Sequence, residues 1–122
     1  MSRALPKPTE TELAILKALW ELGPATVRQV HEHMGQDQGY TTVLKMMQTM
    51  HGKGLLRRDE SSRSHVYAPS EERGRMQKSL VSDFMDKVFS GSALDLVQTA
   101  LQGRKLSAKE KAELKKLLGT KP

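Results

Sequence analysis

Short amphipathic segments, each closed by a stop signal, constrain the fold of this chain more than any other feature of its sequence. Near the amino terminus, apolar side chains recur at helical spacing in residues 9–22, 27–35 and 41–51. Thr9 and Glu12 have the spacing of an N-terminal capping box, and Gly23-Pro24 supplies the stop for the first segment. The pattern therefore predicts three short helices before any strand.

Two short runs of β-prone residues follow, in residues 55–59 and 65–69, and a polar turn separates them. Pro69 ends the second run, because proline cannot donate a hydrogen bond to a neighbouring strand. The two runs predict a small, exposed β-hairpin. Three helices followed by a hairpin are typical of a winged helix-turn-helix, whose third helix enters the DNA major groove while the hairpin contacts the backbone or minor groove.

The rest of the chain is predicted to be helical. Ser70-Glu71-Glu72 has the chemistry of a helix start, with two acidic side chains at the positive end of the helix dipole. Apolar side chains then follow the helical period over residues 76–89. Two more helices begin after Ser92 and after Ser107, the latter with the spacing of a capping box.

The apolar stripes of these last three helices outnumber the partners that so short a chain can offer them. A second copy of the chain is the partner that we favour, and packing within one chain is the alternative. We therefore predict a mainly α homodimer, with a winged helix-turn-helix DNA-binding domain in residues 1–70 and a helical dimerisation domain in residues 71–122. The predicted interface residues are Leu80, Phe84, Val88, Phe89, Leu94, Val97, Leu101, Leu114 and Leu117.

The formal net charge of +6 is unevenly distributed along the chain. Residues 9–39 carry two basic and five acidic side chains, whereas residues 40–68 carry five basic and two acidic ones. Residues 104–121 carry seven basic and two acidic side chains. The reversal at residue 40 points to a polyanionic partner, with a solvated surface as the alternative for each basic run.

The third predicted helix has two opposite faces. With about 100° between successive residues, its inner face collects the apolar side chains Val43, Met46, Met47 and Met50. The outer face presents hydroxyl, ammonium and amide groups, which hydrogen-bond base edges and phosphates, and it has no carboxylate to repel DNA. The predicted DNA-binding residues are Thr41, Thr42, Lys45, Gln48 and Thr49 on this helix, with Arg63 and His65 on the hairpin. An ordinary polar face, and plain solvation of the hairpin, are the alternatives.

Composition excludes several kinds of site. The chain has no cysteine, so it forms no disulfide or thiolate site, and four scattered histidines do not make a tetrahedral metal site. His31 and His33 lie about 200° apart on a helix and are interpreted as surface residues. The serines beside His65 lack an aspartate to orient a base, so we predict no enzyme activity. We likewise predict no metal and no cofactor. No stretch approaches the roughly 20 apolar residues that span a bilayer, which predicts a cytoplasmic protein without a membrane partner.

Two separated motifs carry a family resemblance. The first runs from Gly39-Tyr40-Thr41-Thr42-Val43 to Lys53-Gly54-Leu55-Leu56, and the second is the segment FMDKVFSGS in residues 84–92. They resemble the penicillinase-repressor (BlaI/MecI) family of bacterial transcriptional repressors, and the resemblance covers residues 9–118. It implies a homodimer whose winged helices bind the half-sites of a palindromic operator in double-stranded DNA, while its carboxy-terminal helices pair the subunits.

The chain departs from the pattern of that family at two points. Members that are inactivated by proteolysis are cut at an Asn-Phe bond before the last helix, where this chain has Thr99-Ala100. Copper-responsive relatives carry cysteine pairs near the carboxy terminus, and this chain has none. The predicted function is a repressor. The alternative is a winged-helix protein-protein interaction module without sequence-specific DNA binding, which the polar third helix disfavours because interaction surfaces carry apolar or aromatic anchors.

Overall fold

The computed structural model describes residues 7–35 and 37–119. In these ranges the elements follow one another as α1 Glu10–Leu22, α2 Val27–His33, α3 Tyr40–Gly52, β1 Leu56–Asp59, β2 Val66–Pro69, α4 Arg73–Phe89, α5 Ala93–Gln102 and α6 Ala108–Leu118. Two compact units divide between residues 80 and 81, within α4. Because the hairpin follows the first three helices, the predicted mainly α winged helix-turn-helix with a helical carboxy-terminal region is confirmed.

Local capping fixes the start and end of α1 and the start of α2. The Thr9 hydroxyl accepts a hydrogen bond from the Glu12 amide at 3.2 Å, and the Glu12 carboxylate accepts one from the Thr9 amide at 2.9 Å. This confirms the predicted capping box. Gly23 ends α1 with φ at +82°, in the left-handed region that favours glycine. Thr26 and Gln29 form a second capping box at the start of α2, which is absent from the sequence-based prediction.

One apolar core holds the first unit together. Its large buried residues come from all three helices, the hairpin and the start of α4, and include Ile15, Leu16, Leu19, Val30, Val43, Met47, Met50, Leu55, Leu56, Tyr67 and Met76. Full burial of one such side chain contributes about 1.5–3 kcal/mol, so this cluster dominates the stability of the unit. The predicted inner face of α3 is confirmed, with Met46 half-buried against the cluster.

The base of the hairpin packs against the helices. Its strands pair antiparallel, with Leu56 opposite Pro69 and Arg58 opposite Tyr67, and a bridge between Ala25 and Tyr67 ties it to the segment before α2. Leu56 and Tyr67 are buried, as is Leu55 just before β1. The prediction of an exposed hairpin is therefore wrong at its base, because these side chains complete the core between the helices.

The start of α4 differs from the prediction. The helix begins at Arg73, so Glu71 and Glu72 precede it and no acidic residue lies in its first turn. The Glu71 carbonyl oxygen accepts a hydrogen bond from the Trp20 indole nitrogen at 3.3 Å, and the Glu71 carboxylate pairs with Arg75 at 3.3 Å. Contact with α1 therefore holds Glu71 outside the helix, although its local chemistry favours a helix start.

The second unit contains the predicted short helices. Ser90 and Gly91 both have positive φ and end α4 at Phe89, where the predicted helical period also ends. The Ser92 hydroxyl accepts a hydrogen bond from the Asp95 amide at 3.0 Å, and Ser107 and Glu110 form the predicted capping box of α6. In the described part of the chain, no helix combines the length and apolar character required to cross a membrane.

A buried carboxylate links the start of α1 to the end of α3. Lys53, which follows α3, donates hydrogen bonds to both carboxylate oxygens of Glu12, at 3.0 and 2.8 Å. Burial of Glu12 raises its pKa, but the hydrogen bonds from Lys53 and from the Thr9 amide outweigh this effect and hold the pKa below its ordinary value of 4.5. The pair therefore fixes the end of α3 to the start of α1.

Lys53→Met should lower the free energy of unfolding by about 1–3 kcal/mol, because the Glu12 carboxylate would remain buried without its main partner. The loss should fall toward the lower end of that range, since Lys53 is itself partly exposed. Because the folded-state pKa of Glu12 is lowered, the stabilisation is present above pH 4.5 and is lost as the pH falls through the folded-state value. Urea unfolding across this pH range measures the effect, with the exposed Lys78→Met as control. Equal stability of the two variants at neutral pH would contradict it.

Candidate nucleic-acid interface

The outer face of α3 is open to solvent along its whole length. All five residues predicted to bind DNA from this helix are exposed: Thr41, Thr42, Lys45, Gln48 and Thr49. They share this face because the opposite side of α3 is anchored in the core through Val43, Met47 and Met50. The core therefore determines which polar side chains α3 can present to a ligand.

Lys45 supplies the positive charge of this face. Among the residues that the structure describes, no ion pair engages its ammonium group. No acidic residue occurs within α3, and Gly52 leaves the end of the same face without a side chain. The surface can approach a polyanion closely and can offer it hydroxyl, amide and ammonium donors.

Two arginines of the hairpin, Arg58 and Arg63, differ in the contacts that their guanidinium groups make within the protein. Arg58 forms an ion pair with Glu60 at 2.6 Å and lies over the Tyr67 ring at 6.0 Å from its centroid. Hydrogen bonds with Tyr67 and Glu60 raise the pKa of Arg58. Arg63, in the turn between the strands, is exposed, and His65 is half-buried. Arg63 is therefore better placed than Arg58 to bind an external anion.

A groove of about 320 Å³ lies between α2, α3 and the hairpin. It brings together three of the predicted DNA-binding residues, Gln48, Arg63 and His65. The other four, all on α3, do not line it and lie along the exposed helix surface: Thr41, Thr42, Lys45 and Thr49. The described surface thus has two parts, a polar helix face and a groove beside it.

Arg28 and Tyr40 are among the residues of this groove that are absent from the predicted DNA-binding residues. The Arg28 guanidinium lies over the Tyr40 ring at 5.5 Å from its centroid. The edge of the His31 ring meets the same tyrosine at a centroid distance of 5.8 Å. Arg28 stands out in the sequence as a basic residue within the acidic segment of residues 9–39. Sequence spacing does not, however, place it beside Tyr40.

The two histidines of α2 have partners within the protein. His31 is half-buried, and its Nε2 donates to the Gln38 carbonyl oxygen at 2.7 Å. His33 is exposed and its Nε2 lies 2.9 Å from a Glu21 carboxylate oxygen. The hydrogen bond with His33 lowers the pKa of Glu21. Among the described residues, no group of three or more His, Cys, Asp or Glu side chains is arranged to hold a metal ion.

The second unit leaves many large apolar side chains exposed. Its large side chains remain strongly exposed, with 52% of Phe84, 66% of Leu94 and 78% of Leu117 accessible to solvent. The other predicted interface residues of this unit are exposed or half-buried: Val88, Phe89, Val97, Leu101 and Leu114. Leu80 belongs to the first unit and packs partly against its core. None of the helical residues from 81 to 118 is buried.

Three helices around one core, a hairpin that completes it and an exposed polar third helix define a winged helix-turn-helix protein. The sequence profile described as "Penicillinase repressor" matches residues 8–120. The chain therefore belongs to the penicillinase repressor family of bacterial transcriptional repressors, and the resemblance noted from its motifs is confirmed.

Individual relatives agree with this family. Over 77 residues the chain is 36% identical to "Transcriptional regulator BlaI" of Mycobacterium tuberculosis, in both strain CDC 1551 and strain H37Rv. That match covers 61% of this chain and 56% of the regulator, so it spans just over half the length of those relatives. The chain is also 21% identical to "Penicillinase repressor" of Bacillus licheniformis over 118 residues, or 95% of this chain and 92% of that protein.

Proposed function

We propose that this chain represses transcription as a homodimer that binds an inverted repeat in double-stranded DNA, with α3 in the major groove of each half-site. The observation that carries this proposal is the exposed face of α3, which combines Lys45 and Gln48 with three threonine hydroxyls. Winged helices that bind DNA place such a face against base edges. The assignment of DNA binding to residues 1–70 and dimerisation to residues 71–122 belongs to the same proposal.

The side chains of α3 match the donors and acceptors of the major groove. Lys45 would donate to guanine O6 and N7, and the Gln48 amide would pair with adenine N6 and N7. The threonine hydroxyls would bind either bases or phosphates, and their methyl groups suit the methyl group of thymine. Lys45 and Gln48 are therefore the residues that we expect to determine the operator sequence.

Dimerisation is supported by the apolar surface of the second unit. A monomer would leave Phe84, Leu94 and Leu117, one on each helix of this unit, largely in water, and exposed apolar side chains in such number favour an interaction partner. A second copy offers the same apolar side chains in return, and closed two-fold symmetry is the commonest arrangement for such pairs. Two α3 helices related by a two-fold axis require two half-sites in inverted orientation.

Selection from a randomised library of DNA duplexes tests the proposal, because the protein itself then chooses the operator sequence. The protein should enrich one motif, and that motif should be an inverted repeat whose half-sites lie on the same side of the duplex. Lys45→Ala/Gln48→Ala should enrich no motif under the same conditions. Failure of the unmodified protein to enrich any sequence would contradict the proposal.

The alternative of a protein-protein interaction module is disfavoured by the polar side chains of the exposed face of α3. Such surfaces carry exposed aromatic or apolar anchors. The aromatic side chain at the start of α3, Tyr40, already contacts Arg28 and His31. Most of the large exposed apolar side chains lie instead on the second unit, where the proposed dimer uses them.

A further inference from the structure

We propose that the groove between α2, α3 and the hairpin holds a stretch of the DNA sugar-phosphate backbone, and that Arg28 is the phosphate-binding cation of its α2 side. The inference rests on the proposed DNA binding. It adds a contact that fixes the position of the protein on the duplex without reading bases. Tyr40 and His31 act in it as positioning residues.

The chemistry of the groove fits a polyanion. Arg28 stands on one wall, and Arg63, Ser64 and His65 stand on the other, with Gln48 between them. None of its described lining residues is acidic. The groove runs beside the polar face of α3, which is where the backbone passes when α3 enters the major groove and the hairpin reaches the neighbouring minor groove.

Arg28 is exposed, and its charge is available to an external anion. No ion pair involves it in the part of the chain that the structure describes. Its contact with the Tyr40 ring, at 5.5 Å, orients the guanidinium through the face of the aromatic system. A guanidinium held over an aromatic ring can still direct its N–H donors to an oxygen ligand, and their fork geometry suits phosphate.

Tyr40 is itself held in place. The His31 ring meets it edge-on, at an interplanar angle of 85°, and His31 is anchored by its 2.7 Å hydrogen bond to the Gln38 carbonyl oxygen. Tyr40 is also the first residue of α3. The contact between Arg28 and Tyr40 therefore couples the orientation of Arg28 to the start of the helix that is proposed to read the operator.

The other polar residue of the α2 wall, Thr26, is already engaged. Its hydroxyl accepts the Gln29 amide at 3.2 Å and lies 3.3 Å from the Gln29 side-chain oxygen. Of the described polar side chains that line this wall, Arg28 is thus the one that can offer donors to a phosphate.

The salt dependence of binding tests the role of Arg28. For each subunit bound, Arg28→Ala should make the slope of log K against log salt shallower by about 0.9, because one phosphate contact and its counterion are lost. Affinity should fall about tenfold or more for the selected operator and by the same factor for a scrambled duplex. Arg75→Ala is the matched control, since this arginine is exposed, lies on α4 and pairs with Glu71. It should leave the slope unchanged.

Two tyrosine variants test the positioning role. Tyr40→Phe keeps the ring and should bind DNA with the slope of the unmodified protein. Tyr40→Leu removes the ring and should lower the affinity on both duplexes while its melting temperature stays near that of Tyr40→Phe. Equal affinity of the two variants would overturn the role of Tyr40.

The outcomes separate this inference from the proposed function. If the unmodified protein selects an operator but Arg28→Ala retains the full salt slope, the phosphate contact is overturned and the proposed function stands. If Arg28→Ala weakens the operator far more than the scrambled duplex, Arg28 reads bases, and the assignment to phosphate is likewise overturned. If the unmodified protein binds no DNA, the proposed function fails and the inference fails with it.

Discussion

Phe84→Glu should convert the protein from a dimer into a monomer at micromolar concentration. Phe84 lies on α4 with 52% of its surface exposed in one chain, and its ring packs edge-on against Phe89 at a centroid distance of 5.8 Å. In the proposed dimer this exposed area is buried against the partner subunit. A carboxylate at the same position would be buried without a partner, which costs about 3 kcal/mol or more. Light scattering at several concentrations measures the resulting change in mass.

Phe84→Leu provides the matched control, because it keeps an apolar side chain at the same position. It should remain a dimer at the concentrations where Phe84→Glu is a monomer. A dimeric Phe84→Glu would place the interface elsewhere on the second unit. A monomeric unmodified protein would remove the dimer from the proposal altogether.

Lys45→Ala and Gln48→Ala should each weaken binding to the selected operator by roughly 1–3 kcal/mol. The reason is that each removes side-chain donors from the exposed face of α3 without touching the core. Binding to a scrambled duplex should change much less, because contacts to base edges carry the preference for sequence. Titrations of both duplexes with each variant give the two free-energy differences.

Lys78→Ala is the control for these variants, since Lys78 is exposed on α4, outside α3 and the groove. It should bind the operator like the unmodified protein. If Lys45→Ala and Gln48→Ala also do so, α3 does not enter the major groove with this face. If each variant instead loses the same binding free energy on the operator and on the scrambled duplex, Lys45 and Gln48 contact phosphates and not bases.

The features that could be predicted from the sequence are those that depend on neighbours in the chain. The capping box of Thr9 and Glu12 joins residues three apart, and the two faces of α3 follow from the helical period alone. Local rules therefore predicted the helices and the exposed face of α3. The order of the elements then predicted the winged helix.

The features that could not be predicted depend on contacts between distant residues. Trp20 binds the carbonyl oxygen of Glu71, and this contact overrides the cap chemistry that favours an earlier start of α4. Tyr67 is buried because the hairpin packs onto the helices, although strand alternation alone leaves its face undecided.

The same limit applies to the groove. Arg28 and Tyr40 meet only because α2 and α3 pack against each other, so their partnership has no signature in the sequence. The site predicted from the third helix and the hairpin therefore lacked the wall that α2 contributes.

Symmetric operator binding is tested most directly by comparing the unmodified protein on two duplexes of equal length, one with the selected inverted repeat and one with a single half-site. Two subunits should bind the inverted repeat together, with much higher affinity than for the single half-site, because both α3 helices of a two-fold dimer then contact bases. Equal affinity for the two duplexes, or one subunit on each, would contradict this prediction.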